Sequence, residues 1–250
     1  MVLSQRPAGV RFEWGAAGAA MLAESCAVLV IVDVLSFTTA VSVAVERGMR
    51  VHPFPWEGPE SAAYADRVGA VLAAGRRAVT TGHPWSLSPR ALRYAPVVSD
   101  LVLPSPNGSA ICAAAASTGA EVVAAGLRNA PAVARWLLAC GYGDRLRPIG
   151  VVAAGERWPD GTLRPAVEDL LGAAVVLDGL SRAPGGLSVE AAIALSVLDG
   201  VSDVAAAIRG SASGRELVVG GFEADLDLAV QVGVSDVVPA LRAGVFGPAT

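Results

Sequence analysis

Residues Ala27–Val32 read Ala-Val-Leu-Val-Ile-Val, and the run stops at Asp33. No polar side chain interrupts it, so the segment suits a strand covered on both faces, the condition of a strand inside a layered sheet. A carboxylate ending such a strand is costly unless it binds something. Asp33 is therefore a candidate for catalysis or metal binding. The structural alternative is that it caps the following helix or holds loop amides.

The same strand-then-helix unit recurs along the chain. Thr38–Arg47 reads as a helix closed by Gly48, with Thr38 or Ser36 at its N-cap. Arg50–Phe54 reads as a strand, Pro59–Ala74 as a helix, and Thr81–Pro96 as an irregular loop. Asp100–Leu103, Glu121–Ala125 and Pro148–Ala153 read as further strands. Between and after them the pattern predicts helices at Ala110–Ser117, at Pro131–Cys140 capped by Asn129, and at Pro165–Leu180. From Val189 onward the chain reads mostly helical, with a short strand at Asp236–Val238. The alternation predicts a three-layer α/β/α fold with a largely parallel or mixed central sheet. No repeat or linker divides it, so residues 1–250 are expected to form one domain.

Composition removes whole classes of chemistry. All 19 basic residues are arginine. Without lysine there is no P-loop, no Schiff base and no lysine general base. Two histidines, His52 and His83, cannot make a three-histidine metal site. The net charge of −4 and the lack of any basic block argue against a nucleic-acid partner. Cys26, Cys112 and Cys140 have no metal-type spacing and read as reduced thiols, with Cys112 and Cys140 on core-facing helices. The apolar stretch Cys26–Val45 is long enough to raise the question of a membrane span. A central aspartate costs about 2.5–3.5 kcal/mol there, so a cytoplasmic protein without a membrane partner is expected.

In such a fold, ligands gather at the carboxyl ends of strands, where helix N-termini point. Three segments place polar residues there. Asp33 leads into Ser36, Thr38 and Thr39. Pro104–Ser109 contains Asn107, Gly108 and Ser109, whose amides and hydroxyls suit an anion pocket, although Asn-Gly is first of all a turn. Gly155–Gly161 carries Glu156 and Arg157, and Glu168 and Asp169 follow in the first turn of the next helix, where the dipole favours negative charge. Adjacent helical residues point about 100° apart, so one of this pair is expected to face the crevice and the other its flank. Carboxylates from separate strand ends, together with arginine, suit Mg²⁺ and a phosphate.

At these segments the sequence resembles the 2-phosphosulfolactate phosphatase family, enzymes of coenzyme M biosynthesis and their bacterial relatives. The likeness is carried by Val30-Ile31-Val32-Asp33-Val34-Leu35 with Thr38-Thr39, by Pro106-Asn107-Gly108-Ser109, and by Ala154-Gly155-Glu156 leading to Glu168-Asp169-Leu170. Trp85–Pro89 and Ser235–Pro239 follow in the same order. The resemblance implies a Mg²⁺-dependent hydrolysis of 2-phospho-3-sulfolactate to 3-sulfolactate and phosphate. It implies Asp33, Glu168 and Asp169 as metal carboxylates, and Asp33, Glu156 and Glu168 as catalytic. Ser36, Thr38, Thr39, Asn107, Gly108, Ser109 and Arg157 would bind substrate. Separately, the low charge and high Ala/Val/Leu content leave apolar surface that a homodimer would cover, as would a good core.

The chain departs from the family in three places. Ser36 stands where the family carries arginine, Ala74-Gly75-Arg76-Arg77 where it reads Gly-Glu-Arg, and Leu87 where it has asparagine before Ser-Pro. Losing an arginine removes a charge-assisted partner worth about 1.5–3 kcal/mol. Arg76, Arg90, Arg157 and Arg164 are the candidates to replace it. The alternative reading is a catalytically altered relative that binds an anionic metabolite or a partner protein.

Overall fold

The computed structural model describes residues 2–56, 58–116 and 118–249. The chain opens with β1 (Val10–Trp14), α1 (Gly15–Ala23), β2 (Val28–Val32), α2 (Phe37–Glu46) and β3 (Arg50–Phe54). Next come α3 (Pro59–Val68), β4 (Val71–Leu72), α4 (Pro89–Tyr94), β5 (Asp100–Pro104) and α5 (Gly108–Ala116). Then follow β6 (Glu121–Ala125), α6 (Ala130–Ala139), β7 (Ile149–Ala153), β8 (Glu156–Arg157), β9 (Leu163–Arg164) and α7 (Val167–Gly179). The last part holds α8 (Val189–Ser196), α9 (Val204–Gly210), α10 (Ala212–Val219) and α11 (Glu223–Ala229). It closes with the hairpin β10 (Pro239–Arg242) and β11 (Val245–Pro248).

The main sheet has the order β1-β7-β2-β6-β10-β11-β3-β5-β4. Pairing is parallel within β1-β7-β2-β6 and within β3-β5-β4. The hairpin β10–β11 is inserted between these lobes, and all three of its junctions are antiparallel. Three reversals make the lobes run in opposite senses, so the mixed α/β sheet expected from the sequence is present. β2 sits between β7 and β6, and each of its five residues is buried. Helices cover both faces: α6 and α7 pack one core, and α1, α2 and α5 pack the other.

The predicted strands Arg50–Phe54 and Glu121–Ala125 have their predicted bounds, and the other central strands match within one residue. Several expectations are corrected. The helix from Pro59 stops at Val68, because Gly69 turns left-handed (φ +65°) and Val71–Leu72 joins the sheet. The short strand expected at Asp236–Val238 is displaced to the hairpin Pro239–Pro248. Helix α4 lies inside the segment expected to be loop, and α5 begins at Gly108 rather than Ala110. The expected end of α5 at Ser117 lies outside the described residues. Asn129 does not cap α6 with its side chain. It accepts from the Gly126 amide and donates to the Ala124 and Val237 carbonyls, tying the β6 end to the chain before β10. Cys140 is exposed, while Cys26 and Cys112 are buried.

β1 alternates apolar and charged residues, Val-Arg-Phe-Glu-Trp, whereas α1 carries no clear period. Gly15–Ala23 is almost entirely small or apolar, so its buried and exposed faces look alike until they pack. Among the described residues no single helix is long and apolar enough to cross a membrane.

Candidate active site

Asp33 follows β2 and is almost wholly buried. Its Oδ1 accepts from the Phe37 amide at 3.1 Å, the first residue of α2, and its Oδ2 accepts from the Gly108 amide at 2.9 Å, the first residue of α5. One carboxylate therefore takes an amide from the start of each of two helices, where the dipoles favour negative charge. The approach of α5 requires glycine. A Cβ on Gly108 would stand 2.5 Å from the Phe37 ring and 2.6 Å from Asp33 Oδ2. This is the loop-amide arrangement that the sequence left open as the alternative for Asp33.

The hydroxyls around Asp33 brace its backbone. Thr38 Oγ1 accepts from the Asp33 amide and donates to the Asp33 carbonyl, and Thr39 Oγ1 donates to the Val34 carbonyl at 2.8 Å. Ser109 donates to the Leu103 carbonyl at 3.0 Å and fixes the end of β5. Ser36 donates to the Leu87 carbonyl at 3.3 Å and accepts from Arg76 Nη2. Neither Ser36 nor Thr38 caps α2 with its side chain.

Asp169 and Glu168 come from the first turn of α7. That helix presses closely on β2, since a Cβ on Gly172 would lie 2.6 Å from Val34 and 2.9 Å from Val32. Asp169 accepts from the Val34 amide with Oδ1 and from the Gly155 amide with Oδ2, both at 2.8 Å. It thereby clamps together the carboxyl ends of β2 and β7. Glu168 is equally buried, and its Oε2 takes one long bond from Ser211 Oγ at 3.4 Å. Both residues of the pair are buried, Asp169 spent on two backbone amides and Glu168 on one long hydroxyl bond. Glu156, on β8, accepts from Asn107 Nδ2 at 2.8 Å. Arg157 is exposed and donates to Asn107 Oδ1, to the Pro106 carbonyl and to the Gly161 carbonyl at 3.3–3.4 Å. A cavity of about 190 Å³ opens beside Asn107 and Glu156, bordered by Gly15–Ala17 at the start of α1.

The four acids feel one another. Burial raises the Asp33 carboxyl above its ordinary value, the Phe37 and Gly108 amides and Arg76 oppose that, and Glu168 adds to it. Burial, then Asp33 and Glu168, put Asp169 well above the carboxylate range. Burial, then the same two neighbours, push Glu156 up to about 7, against Arg164 and Asn107. Such a cluster of partly desolvated carboxylates is where a cation is favoured.

The donor set suits a hard cation only in a particular way. Among the described residues no three His, Cys, Asp or Glu side chains converge as a ready-made metal cage. Mg²⁺ asks for less, because it takes one or two carboxylates and keeps waters. Glu168 takes a single long hydrogen bond, while Asp33 and Asp169 each carry one amide on each oxygen and keep a second lone pair there. The residues fit a magnesium ion on those terms.

Two further residues enter from outside the expected segments. Arg76 reaches Ser36, and its Nε lies 3.3 Å from Oδ2 of Asp225 on α11. Arg76 was one of four arginines that the sequence offered as replacements for the missing one. Asp225 lies in a helix without motif character, and nothing in its local sequence distinguishes it from a surface acid. Of the other arginines, Arg164 donates to Ser213 at 3.0 Å, and Arg90 meets the Asp225 carboxylate through its backbone amide.

Residues 19–244 match the 2-phosphosulpholactate phosphatase family. A protein of Deinococcus radiodurans named "Probable 2-phosphosulfolactate phosphatase" is 33% identical over 205 residues, covering 80% of this chain and 81% of that protein.

Proposed function

The chain belongs to the 2-phosphosulpholactate phosphatase family, and on that premise we propose that it hydrolyses 2-phospho-3-sulfolactate to 3-sulfolactate and inorganic phosphate with Mg²⁺. The observation that carries this reading is the gathering of Asp33, Glu156 and the adjacent pair Glu168 and Asp169 from three separated stretches into one largely buried, mutually repelling group. Asp33 and Glu168 would hold the ion, with Asp169 braced against the two strand ends beside them. Bound there, Mg²⁺ supplies positive charge to the phosphoryl and leaving oxygens.

The chain's own groups do the rest. Asp33 is fixed by two amides and loses no orientation on binding. Asn107 holds Glu156 in place, and Arg157 lies on the far side of Asn107 to attract the anion. Burial pushes the Glu156 carboxyl up to about 7 in the ion-free protein, so a share of it holds a proton at neutral pH and a larger share below. It gives that proton to the ester oxygen as the P–O bond breaks, and water supplies the new P–O bond. The proton shed by the water returns to Glu156, so the cycle balances.

The experiment is phosphate release from 2-phosphosulfolactate, with Mg²⁺ and with chelator. Turnover requires the ion, and Asp33→Asn abolishes it. Wild-type turnover in Asp33→Asn, or full activity in chelator, overturns the reading.

A further inference from the structure

Arg76 is buried except for 18% of its side chain, and three elements hold it. Nη2 donates to Ser36 at the entry to α2, Nε faces Asp225 of α11, and the guanidinium lies 5.9 Å from the Phe222 ring centroid. Asp225 is held in turn. Its Oδ1 accepts from Ser88 Oγ and from the Arg90 amide at 2.9 Å, so the start of α4 fixes the acid that faces the arginine. The third nitrogen, Nη1, makes no hydrogen bond among the described residues, and unlike Nε it is not sealed from solvent.

A buried ion pair contributes little net stability, because desolvation offsets the attraction. Keeping one guanidinium nitrogen open adds to that cost. Structure alone therefore gives weak reason for this arrangement, and a ligand gives a stronger one. The field points the same way. Asp225, Asp33, Glu156 and Glu216 all act on Arg76, which puts its charge within the field of the acid cluster on the Ser36 side. Arg157 stands on the Asn107 side and is largely committed to carbonyls. A cavity of about 440 Å³, lined in part by Arg76, Arg77, Leu87, Glu216 and Phe222, leaves room beside it, with two arginines against one acid.

We infer that Arg76 is a specificity-determining residue: Nη1 receives the acid group of the substrate that does not react, a carboxylate or sulfonate beside the phosphate ester. Asp225 is the positioning residue that aims it. The inference rests on the phosphatase reading for the identity of the substrate. It assigns α11, a helix without motif residues, a share in the site.

The test is calorimetric binding of 3-sulfolactate, which cannot be hydrolysed, to the whole protein, with inorganic phosphate as the comparison ligand. Arg76→Gln weakens 3-sulfolactate by about tenfold or more, the loss of one charge-assisted contact, and weakens inorganic phosphate much less. Arg76→Lys recovers part of the affinity. Asp225→Asn weakens 3-sulfolactate in the wild-type background but adds nothing in Arg76→Gln, an interaction that a purely structural role for Asp225 would not produce. Unchanged 3-sulfolactate affinity in both Arg76 variants, equal losses for the two ligands, additive losses with Asp225→Asn, or no binding of 3-sulfolactate to the wild type each overturn the inference. A wild type that binds 3-sulfolactate through Arg76 yet releases no phosphate sinks the catalytic reading and leaves this one standing.

Discussion

The Gly108 amide lies 2.9 Å from Oδ2 of Asp33, joining the start of α5 to the end of β2 across 75 residues of chain. The contact exists because position 108 has no side chain. With alanine there, a methyl group would press on Phe37 and on the carboxylate itself. Gly108→Ala is expected to cost about 1–3 kcal/mol of stability and to lower kcat/KM by more than tenfold. Urea melts and steady-state kinetics on the same preparations check both.

On the proposed reading Glu156 acts as an acid, so its protonated form is the active one. Turnover therefore falls as pH rises through its pKa, which is about 7 in the ion-free protein and lower once a cation is bound beside it. Glu156→Gln removes that alkaline limb and lowers kcat by about 10²–10⁴-fold. A pH–rate profile of the variant that keeps the limb assigns the proton elsewhere.

Asp169 satisfies two buried amides, those of Val34 and Gly155. Truncation to alanine leaves both without partners, at about 1–3 kcal/mol each. Asp169→Ala is thus expected to lose about 2–6 kcal/mol in chemical denaturation. Asp169→Asn keeps one acceptor and loses less. A near-neutral alanine variant would mean that the clamp between β2 and β7 is not needed.

The sign of the linkage is set by raised carboxyl pKa values. Asp33, Asp169 and Glu156 bind protons more tightly in the native state than in the unfolded chain. Their penalty is absent at acid pH and grows as pH climbs from the unfolded carboxyl range through the raised folded values. A cation placed among them offsets it. Magnesium at about ten times its dissociation constant is expected to add about 1.4 kcal/mol, a rise of about 3–6 °C in Tm. The gain should shrink at pH 5, where protons compete for the same oxygens. Thermal melts at the two pH values, with magnesium and with chelator, measure it.

Much of this architecture could be read in the chain itself. The apolar runs ending at Val32, Ala125 and Ala153 marked β2, β6 and β7, because a strand covered on both faces needs no polar alternation. Asp33, the Asn107-Gly108 turn and the Glu168-Asp169 pair stood out because each is a polar interruption at an element's end. By contrast, α1 was invisible. A nine-residue segment made almost wholly of small and apolar residues has no contrast between its faces. The hairpin β10–β11 was displaced in the sequence reading because its strands are only four residues long and take their pairing from β6 and β3.

By itself, the sequence determined which stretches become strands and helices and which polar residues lie at their ends. Those properties depend on neighbours a few positions away. Only the tertiary structure decided that Asp33 is held by Phe37 and Gly108, that Asp169 spans two strand ends, and that Asp225 faces Arg76. Each of those pairings, save the local ones to Phe37 and Gly155, crosses from 75 to 149 residues of chain. The order of strands in the sheet brings them together, and that order follows from which apolar faces bury one another. No local pattern encodes it.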